Sequence, residues 1–296
     1  MTDESNAPPA TAPEAPQATN ESTSPEPTVS NDTVGKTFLV AFLLCLVCSV
    51  FVSLAAVGLG PAKDANKELD LQRNLLLAAG LIEKDASDDK VRQEFDKIEP
   101  NVIVFSTGEY DRGIDASTYD QKKAARDPAQ STAVDGLKDV AQVRRRANKG
   151  LVYLAKENDT LTSVILPIHG YGLWSTLYGF VALEASDLNT IEGLGYYQHA
   201  ETPGLGGEVD HESWKAQWKG ARGKKKVFDA DGNVAIEVIK GIVADNTPGS
   251  EHQIDGLAGA TITSRGVTNT FQYWLGPDGY GPYLSKLKDQ LKAANE

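Results

Sequence analysis

Between Thr37 and Leu59 the chain reads TFLVAFLLCLVCSVFVSLAAVGL, without one charged side chain. A helix rises 1.5 Å per residue, so these ~23 residues reach about 35 Å, enough to cross a hydrocarbon core of about 30 Å with some tilt. A cleaved signal peptide is the alternative. Its apolar region is usually shorter and follows a basic stretch, whereas only Lys36 precedes this run closely. The sequence therefore predicts a retained transmembrane helix over 36–60. Lysine and arginine near its ends point weakly to a cytoplasmic globular part, with Lys36 on one side and Lys63, Lys67 and Arg73 on the other. The anchor carries no charged residue from which an ion path could be built, so ion translocation is not expected to reside here.

Upstream, residues 1–33 are rich in Pro, Ser, Thr, Ala and Glu, with no basic residue. Such a segment buries too little apolar surface to offset its ordering entropy, and is expected to be a disordered acidic tail. Downstream, 64–82 and Asp88–Lys97 read as helices, and Asn101–Ser106 as a short buried strand. The polar stretch to 148 includes the run Arg144-Arg145-Arg146, either a solvated surface or a docking patch for an acidic partner. Alternating patterns then predict a hairpin (151–155 and 162–168) and strands at 175–184 and 190–197. A helix is expected over 208–219, burying Val209, Trp214 and Trp218. A second hairpin is expected over Lys224–Lys240 around Asp231-Gly232-Asn233. Ser264 is placed to cap a helix reaching about Leu275, and a last amphipathic helix spans about Pro282–Ala293. Helices and strands do not alternate regularly, so the fold class is α+β, one transmembrane helix followed by a mixed domain. The expected division is 61–148, a helical linker and first part of the globular domain, and 149–296, its main body.

The formal net charge of −12 argues against nucleic-acid binding through a basic face. The two cysteines, Cys45 and Cys48, lie inside the apolar run. They read as small packing residues, because an apolar setting disfavours the thiolate; the alternative is a helix contact near a partner's metal centre, with the thiols as ligands or neighbours. His169, His199, His211 and His252 are scattered, and no pair has metal-ligand spacing.

Chemistry concentrates in Asp255-Gly-Leu-Ala-Gly-Ala-Thr-Ile-Thr-Ser264. Small residues at 258, 259 and 260 permit close approach to the backbone. Hydroxyls at Thr261, Thr263 and Ser264 follow at the start of a helix, where amides favour a phosphate. Two further segments stand out, Gly170-Tyr-Gly-Leu-Trp174 and His199-Ala-Glu-Thr-Pro-Gly-Leu-Gly206. In the second of them Pro203, Gly204 and Gly206 define a tight turn. Trp174 is otherwise a core aromatic, His199 otherwise a turn histidine, and Lys240 either a phosphate partner or an exposed strand lysine.

These three segments together resemble the covalent FMN-binding domain family. The 255–264 segment resembles its flavinylation motif, D-G-x-[S/T]-G-A-T-x-[S/T], and departs from it at Ala258. The resemblance implies FMN joined by a phosphoester to Thr261, installed by a separate flavin transferase, with Thr263 the nearest competing acceptor. It implies a cofactor site that also draws on Gly259, Ala260 and Ser264, apolar faces from Leu173, Trp174 and Leu205, ring-edge contacts from Glu201 and Thr202, the Gly204 turn, and Lys240 near the phosphate. The flanking stretches Val57-Gly-Leu59, Ala65–Asp70, Asn74–Gly80, Leu166–Trp174 and Trp214–Lys219 resemble the family of C subunits of Na+-translocating NADH:quinone oxidoreductases; the G subunit of Rnf-type ferredoxin:NAD+ oxidoreductases and a flavin-free membrane-anchored module are the alternatives. This resemblance implies a single-pass subunit of an inner-membrane complex, its flavin domain periplasmic, relaying electrons towards quinone. It reverses the orientation favoured by the charge count, which rests on three residues. No glycine-rich dinucleotide fingerprint is present, so NADH is expected to bind elsewhere.

Overall fold

The computed structural model describes residues 33–221, 223–244 and 247–295; the tail expected over 1–33 lies, but for Thr33, outside them. Helix α1, Val34–Ala78, joins the two predicted helices into one, with Pro61 inside it. The chain divides into two compact units between Gly60 and Pro61, where proline withdraws an N–H from the helical ladder. The N-terminal unit supplies the one helix among the described residues long and apolar enough to cross a membrane, and none of its most apolar window is buried. Cys45 and Cys48 sit on it, exposed and unpaired.

The second unit is built on an antiparallel sheet. In chain order the strands are β1 Ile98–Val104, β2 Glu109–Tyr110, β3 Ser131–Ala133, β4 Arg145–Ala147, β5 Lys149–Glu157, β6 Thr160–Tyr171, β7 Thr176–Glu184, β8 Thr190–Gln198, β9 Lys225–Lys226, β10 Glu237–Val238 and β11 Gln253–Ile254. The helices are α2 Asp88–Phe95, α3 Gln121–Arg126, α4 Glu212–Trp218, α5 Thr261–Trp274 and α6 Gly281–Asn295. The main sheet runs β2-β1-β5-β6-β7-β8-β9, with β3-β4 and β10-β11 as separate pairs. β1, from the 61–148 stretch, thus sits inside the same sheet as the strands after 149.

Period-two alternation places the sheet between two apolar layers. Val152, Leu154, Val164, Leu166, Val181 and Leu183 join the aromatic residues of α4, α5 and α6 on one face. Tyr153, Ala155, Ile165, Phe180 and Ala182 meet Leu75, Leu76 and Ala78 of α1 and Val91 of α2 on the other. With both faces covered, β6 reads as the nearly continuous apolar run Val164–Ile168. The β5–β6 turn closes through Asn158 and Asp159, both at positive φ (49° and 64°), as its Asn-Asp sequence favours.

The structure corrects four expectations. The predicted 208–219 helix is broken at His211, whose ring caps α4 by accepting from the Ser213 amide, and a short 3-10 turn precedes it. The Lys224–Lys240 hairpin reduces to one bridge, Phe228 to Val234, around the Asp229–Asn233 turn. β9 instead joins β8, and β10 pairs in parallel with β11. Ser264 does not cap α5, because the helix already starts at Thr261; its hydroxyl lies one turn in and accepts from the Leu257 amide at 3.1 Å. Finally, the polar stretch to 148 holds α3 and the β3–β4 pair, elements too short for periodicity to reveal.

Helix α5 has many β-branched residues, which lower helix propensity. Packing holds it: Val267, Thr270, Phe271 and Trp274 are buried at helical spacing. Gly266 lets it lie directly on the end of β6, since a Cβ there would sit 2.4 Å from the Tyr171 carbonyl oxygen. Phe271 stacks on Trp218 at 4.8 Å and 14°. Trp218 is fully buried, and its indole N–H has no hydrogen-bond partner. Trp218→Ala should therefore destabilise the chain by about 3–5 kcal/mol, whereas Trp218→Phe, which also removes the unpaired N–H, should cost under about 1.5 kcal/mol, as read by denaturant unfolding of the detergent-solubilised chain.

Candidate functional site

The three segments singled out in the sequence meet at one carboxylate. Glu201 is 5% exposed. Its Oε1 accepts from the amides of Leu173 (3.2 Å), Trp174 (2.9 Å) and Ser175 (3.1 Å). Its Oε2 accepts from the Thr263 hydroxyl at 2.6 Å. Burial by itself would raise this carboxyl's pKa, but the Thr263 hydroxyl and the three amides outweigh it and hold the pKa below the usual range. The ionised form thus ties the β6–β7 hairpin, the 199–206 turn and α5 together. Gly206 makes room for it: a Cβ there would lie 2.6 Å from both Glu201 Oε2 and Thr263 Oγ1.

The 199–206 turn is fixed at both ends. His199 Nε2 lies 2.6 Å from Asp210 Oδ2, and Nδ1 accepts from the Glu201 amide at 3.2 Å. The Thr202 carbonyl accepts from the Leu205 and Gly207 amides at 3.1 and 2.9 Å, with Gly204 at a φ of 77°. Thr202 itself is exposed. Leu205 reaches the Gly259 turn, where an added Cβ would lie 2.9 Å from Leu205 Cδ2. The carboxylate of Glu201 faces inward and is fully engaged, so it is a strut between segments and does not point at an external ring edge, a departure from the sequence expectation. His199 is satisfied within its turn, and Trp174 is no core aromatic, being 66% exposed.

Beyond this hub, Thr261 opens α5 with its side chain exposed. Ala260 is the N-cap and no side chain caps the helix, so the first-turn amides lack intrahelical acceptors. A groove of about 530 Å³ runs alongside, its wall including Lys240, Gly259, Thr261, Ser264 and Arg265. Lys240 is held there because β10 is fastened to α5 by the Val238 amide donating to Thr268 Oγ1 at 2.9 Å. The Gly256 amide donates to the Gly241 carbonyl at 2.8 Å, keeping the 255–259 turn against this segment. Asp255 serves the scaffold, its carboxylate accepting from the Val243 amide at 2.8 Å and its carbonyl from the Trp214 indole at 2.9 Å.

Thr261 and Thr263 are therefore distinct. The first is exposed beside two cations, and the second is fully buried with its hydroxyl engaged. Leu173, Trp174, Thr202, Gly204 and Leu205 do not line the groove; they hang from the Glu201 hub, where Leu173, Trp174 and Leu205 are exposed apolar side chains. Ala260 is buried, and Ala258 is exposed on the groove wall. Sequence reasoning missed Arg265. The signal was available, because a residue four positions after Thr261 shares its helix face. Chemically, the arrangement offers an exposed hydroxyl nucleophile or anchor, a seat for a phosphate made of free amides and two cations, and apolar faces nearby.

Comparison with known proteins agrees in extent. The FMN-binding domain family matches residues 172–276, a span that begins in the β6–β7 hairpin and ends just beyond α5. The chain is 50% identical over 262 residues to the C subunit of the Na(+)-translocating NADH-quinone reductase of Vibrio vulnificus, covering 88% of this chain and 98% of that protein. It is 47% identical over 260 residues to the corresponding C subunit from Pseudomonas aeruginosa, with the same coverage. Among solved structures, NqrC of Shewanella oneidensis superposes with a TM-score of 0.68 at 34% identity, over 76% of this chain and 99% of that one.

The Glu201 hub has a pH signature. A carboxyl with a depressed folded pKa contributes stability that is complete above its unfolded pKa of about 4.3 and is lost as pH falls through the folded value. Glu201→Gln should lower stability by about 2–3 kcal/mol at pH 7, and the gap from the parent chain should close as pH drops below about 4.3. Paired unfolding curves across pH measure this, and a pH-independent gap would remove the ionised carboxylate from the account.

Proposed function

The chain belongs to the family of C subunits of the Na(+)-translocating NADH-quinone reductases, and on that premise we propose that it is a single-pass membrane subunit that relays electrons towards quinone through an FMN carried on Thr261. The observation that supports the attachment point most directly is the contrast between exposed Thr261 and buried Thr263. The relatives match over almost their whole length at 47–50% identity, which favours this reading over an Rnf-type subunit and over a flavin-free module.

When bound, FMN supplies the redox chemistry, accepting and releasing electrons through its ring. The protein's own residues bind and orient. Thr261 Oγ1 would carry the phosphoester. The phosphate's remaining charge would be met by the uncapped first turn of α5, where the helix dipole favours an anion, and by Lys240 and Arg265. Leu173, Trp174 and Leu205 offer apolar surface to the flat ring, and Thr202 and the Gly204 turn lie at its margin. Glu201 acts as a positioning residue, since it sets the distance between the hairpin bearing those faces and the helix bearing the anchor. Gly259 and exposed Ala258 leave the backbone around Thr261 open to a flavin transferase. An ester keeps the cofactor from being lost to the medium and still lets the ring shift between donor and acceptor.

The partners are the other subunits of the complex. Another subunit would oxidise NADH, and this chain would stand on the path from the membrane subunits towards quinone. The FMN domain stands on the periplasmic side of the inner membrane.

Two measurements test this reading. Co-expressed with its flavin transferase, the chain should gain the mass of one esterified FMN and fluoresce after denaturation. Thr261→Ala should lose both, and Thr263→Val should keep both despite lower stability; retention in Thr261→Ala would move the anchor. The isolated chain should also show no saturable NADH binding by titration calorimetry, and tight binding would contradict the division of labour.

A further inference from the structure

A second cavity, of about 460 Å³, shares no lining residue with the groove beside Thr261. It lies against the same β6–β7 hairpin, contacting Tyr171 and Thr176 on either side of the Gly172–Ser175 tip. Its charged walls are all basic: Lys122 and Arg126 from α3, Arg144 from the loop before β4 and Arg145 from the start of β4. Tyr171, Tyr178 and the ring of His169 complete it, and no carboxylate lines it.

The carboxylates nearest in sequence are engaged elsewhere. Asp120 caps α3 by accepting from the Lys123 amide at 2.9 Å. Asp127 accepts from the Ala129 amide at 2.9 Å and the Gln130 side chain at 2.7 Å. Asp139 accepts from the Val143 and Arg144 amides, both at 2.6 Å.

The arginine run is divided by the fold. Arg146 donates to the Asp278 carbonyl and lies over the Phe105 ring. Arg145 donates to the Ser131 hydroxyl and carbonyl, both at 3.1 Å. Lys122 rests 3.6 Å above the Tyr178 ring and donates to Gln198 at 3.1 Å. Of the cavity's four cations, only Arg126 and Arg144 are both exposed and without an ion pair among the described residues. Burial outweighs the attraction of Asp120 and, with Arg126 nearby, pushes the Lys122 ammonium down to about 8. His169 is stacked between Tyr178 (5.2 Å) and Trp274 (4.7 Å). Burial and Lys122 push its pKa down to about 4, so it is neutral and keeps one N–H to donate.

We propose that this cavity is the docking site for an acidic segment of a protein partner, whose carboxylates enter between Arg126 and Arg144. Guanidinium groups pair with carboxylates in bidentate fashion. No glycine lines the cavity, so it lacks the bare backbone that typically cradles a phosphate. On a chain of net charge −12, an all-basic concavity is a place where an acidic partner approaches without repulsion. A segment docked there sits beside the hairpin bearing Leu173 and Trp174, which makes the cavity suited to the electron-exchanging partner. The inference rests on the reading of the chain as a member of a quinone-reducing complex.

The test uses the assembled complex in detergent, carrying Arg126→Glu/Arg144→Glu, with Arg126→Gln/Arg144→Gln as a milder companion. NADH:quinone turnover is measured against KCl at fixed NaCl, and denaturing in-gel fluorescence records this chain's flavin separately. At low KCl the charge-reversed complex should turn over roughly threefold or more slowly and the glutamine pair should be intermediate; the differences should shrink with added KCl as the attraction is screened. Flavin fluorescence on the chain should be unchanged. Equal turnover in all three complexes would overturn the docking site. So would submillimolar binding of inorganic phosphate to the full chain that the variants abolish while turnover is unaffected, since that describes a small-anion site. Absence of flavin on the parent chain would instead indict the cofactor reading, and is seen independently of the KCl series.

Discussion

A buried carboxylate without partners would be costly, and Glu201 is ionised only because four donors converge on it. Those donors come from the β6–β7 hairpin and from α5, while Glu201 itself sits in the 199–206 turn. Three segments far apart in sequence are thereby held to one geometry by one group. Removing the charge weakens the acceptor that three amides and a hydroxyl share, so the penalty falls on the arrangement as a whole. Gly206 marks how tightly the parts fit, because the space for its missing side chain is filled by the carboxylate and Thr263.

The sheet supplies the rigid frame for that hub. β6 and β7 are central strands covered on both faces, so their connecting tip is a fixed platform even though Leu173 and Trp174 are exposed there. Helix α5 crosses the end of β6 at the closeness that Gly266 permits, and this sets its first turn, with Thr261, Lys240 and Arg265, at a constant position from the tip. Thr261 and the apolar faces are thus placed by backbone packing, while the side chains at the surface remain available.

Much of this was legible in the sequence. The uncharged run of α1, the Asn-Asp hairpin of β5–β6 and the alternation of β7 and β8 carry local signals that determine structure through few residues. The three motif segments stood out in the sequence, and in the structure they meet at Glu201. Long-range partnerships were not legible. Nothing local says that β9 will pair with β8 in place of the chain across the Asp229–Asn233 turn, that β10 and β11 will run parallel, or that Glu201 will turn inward to Thr263. Those outcomes depend on tertiary contacts between residues tens of positions apart. Arg265 was readable by helical spacing, and the split fates of Arg144, Arg145 and Arg146 were not, since Ser131 and Asp278 are remote in sequence.

An acidic chain with an apolar N-terminal helix, exposed apolar side chains and an exposed threonine at an uncapped helix start is suited to carry a redox group. Its central claim concerns electron flow through that group. The direct measurement is stopped-flow absorbance of the flavin on this chain within the intact complex, isolated spectrally by difference from a Thr261→Ala complex. The account predicts that NADH bleaches this component and that added quinone restores it, both within the turnover time. A component that stays oxidised while quinone is being reduced would contradict it.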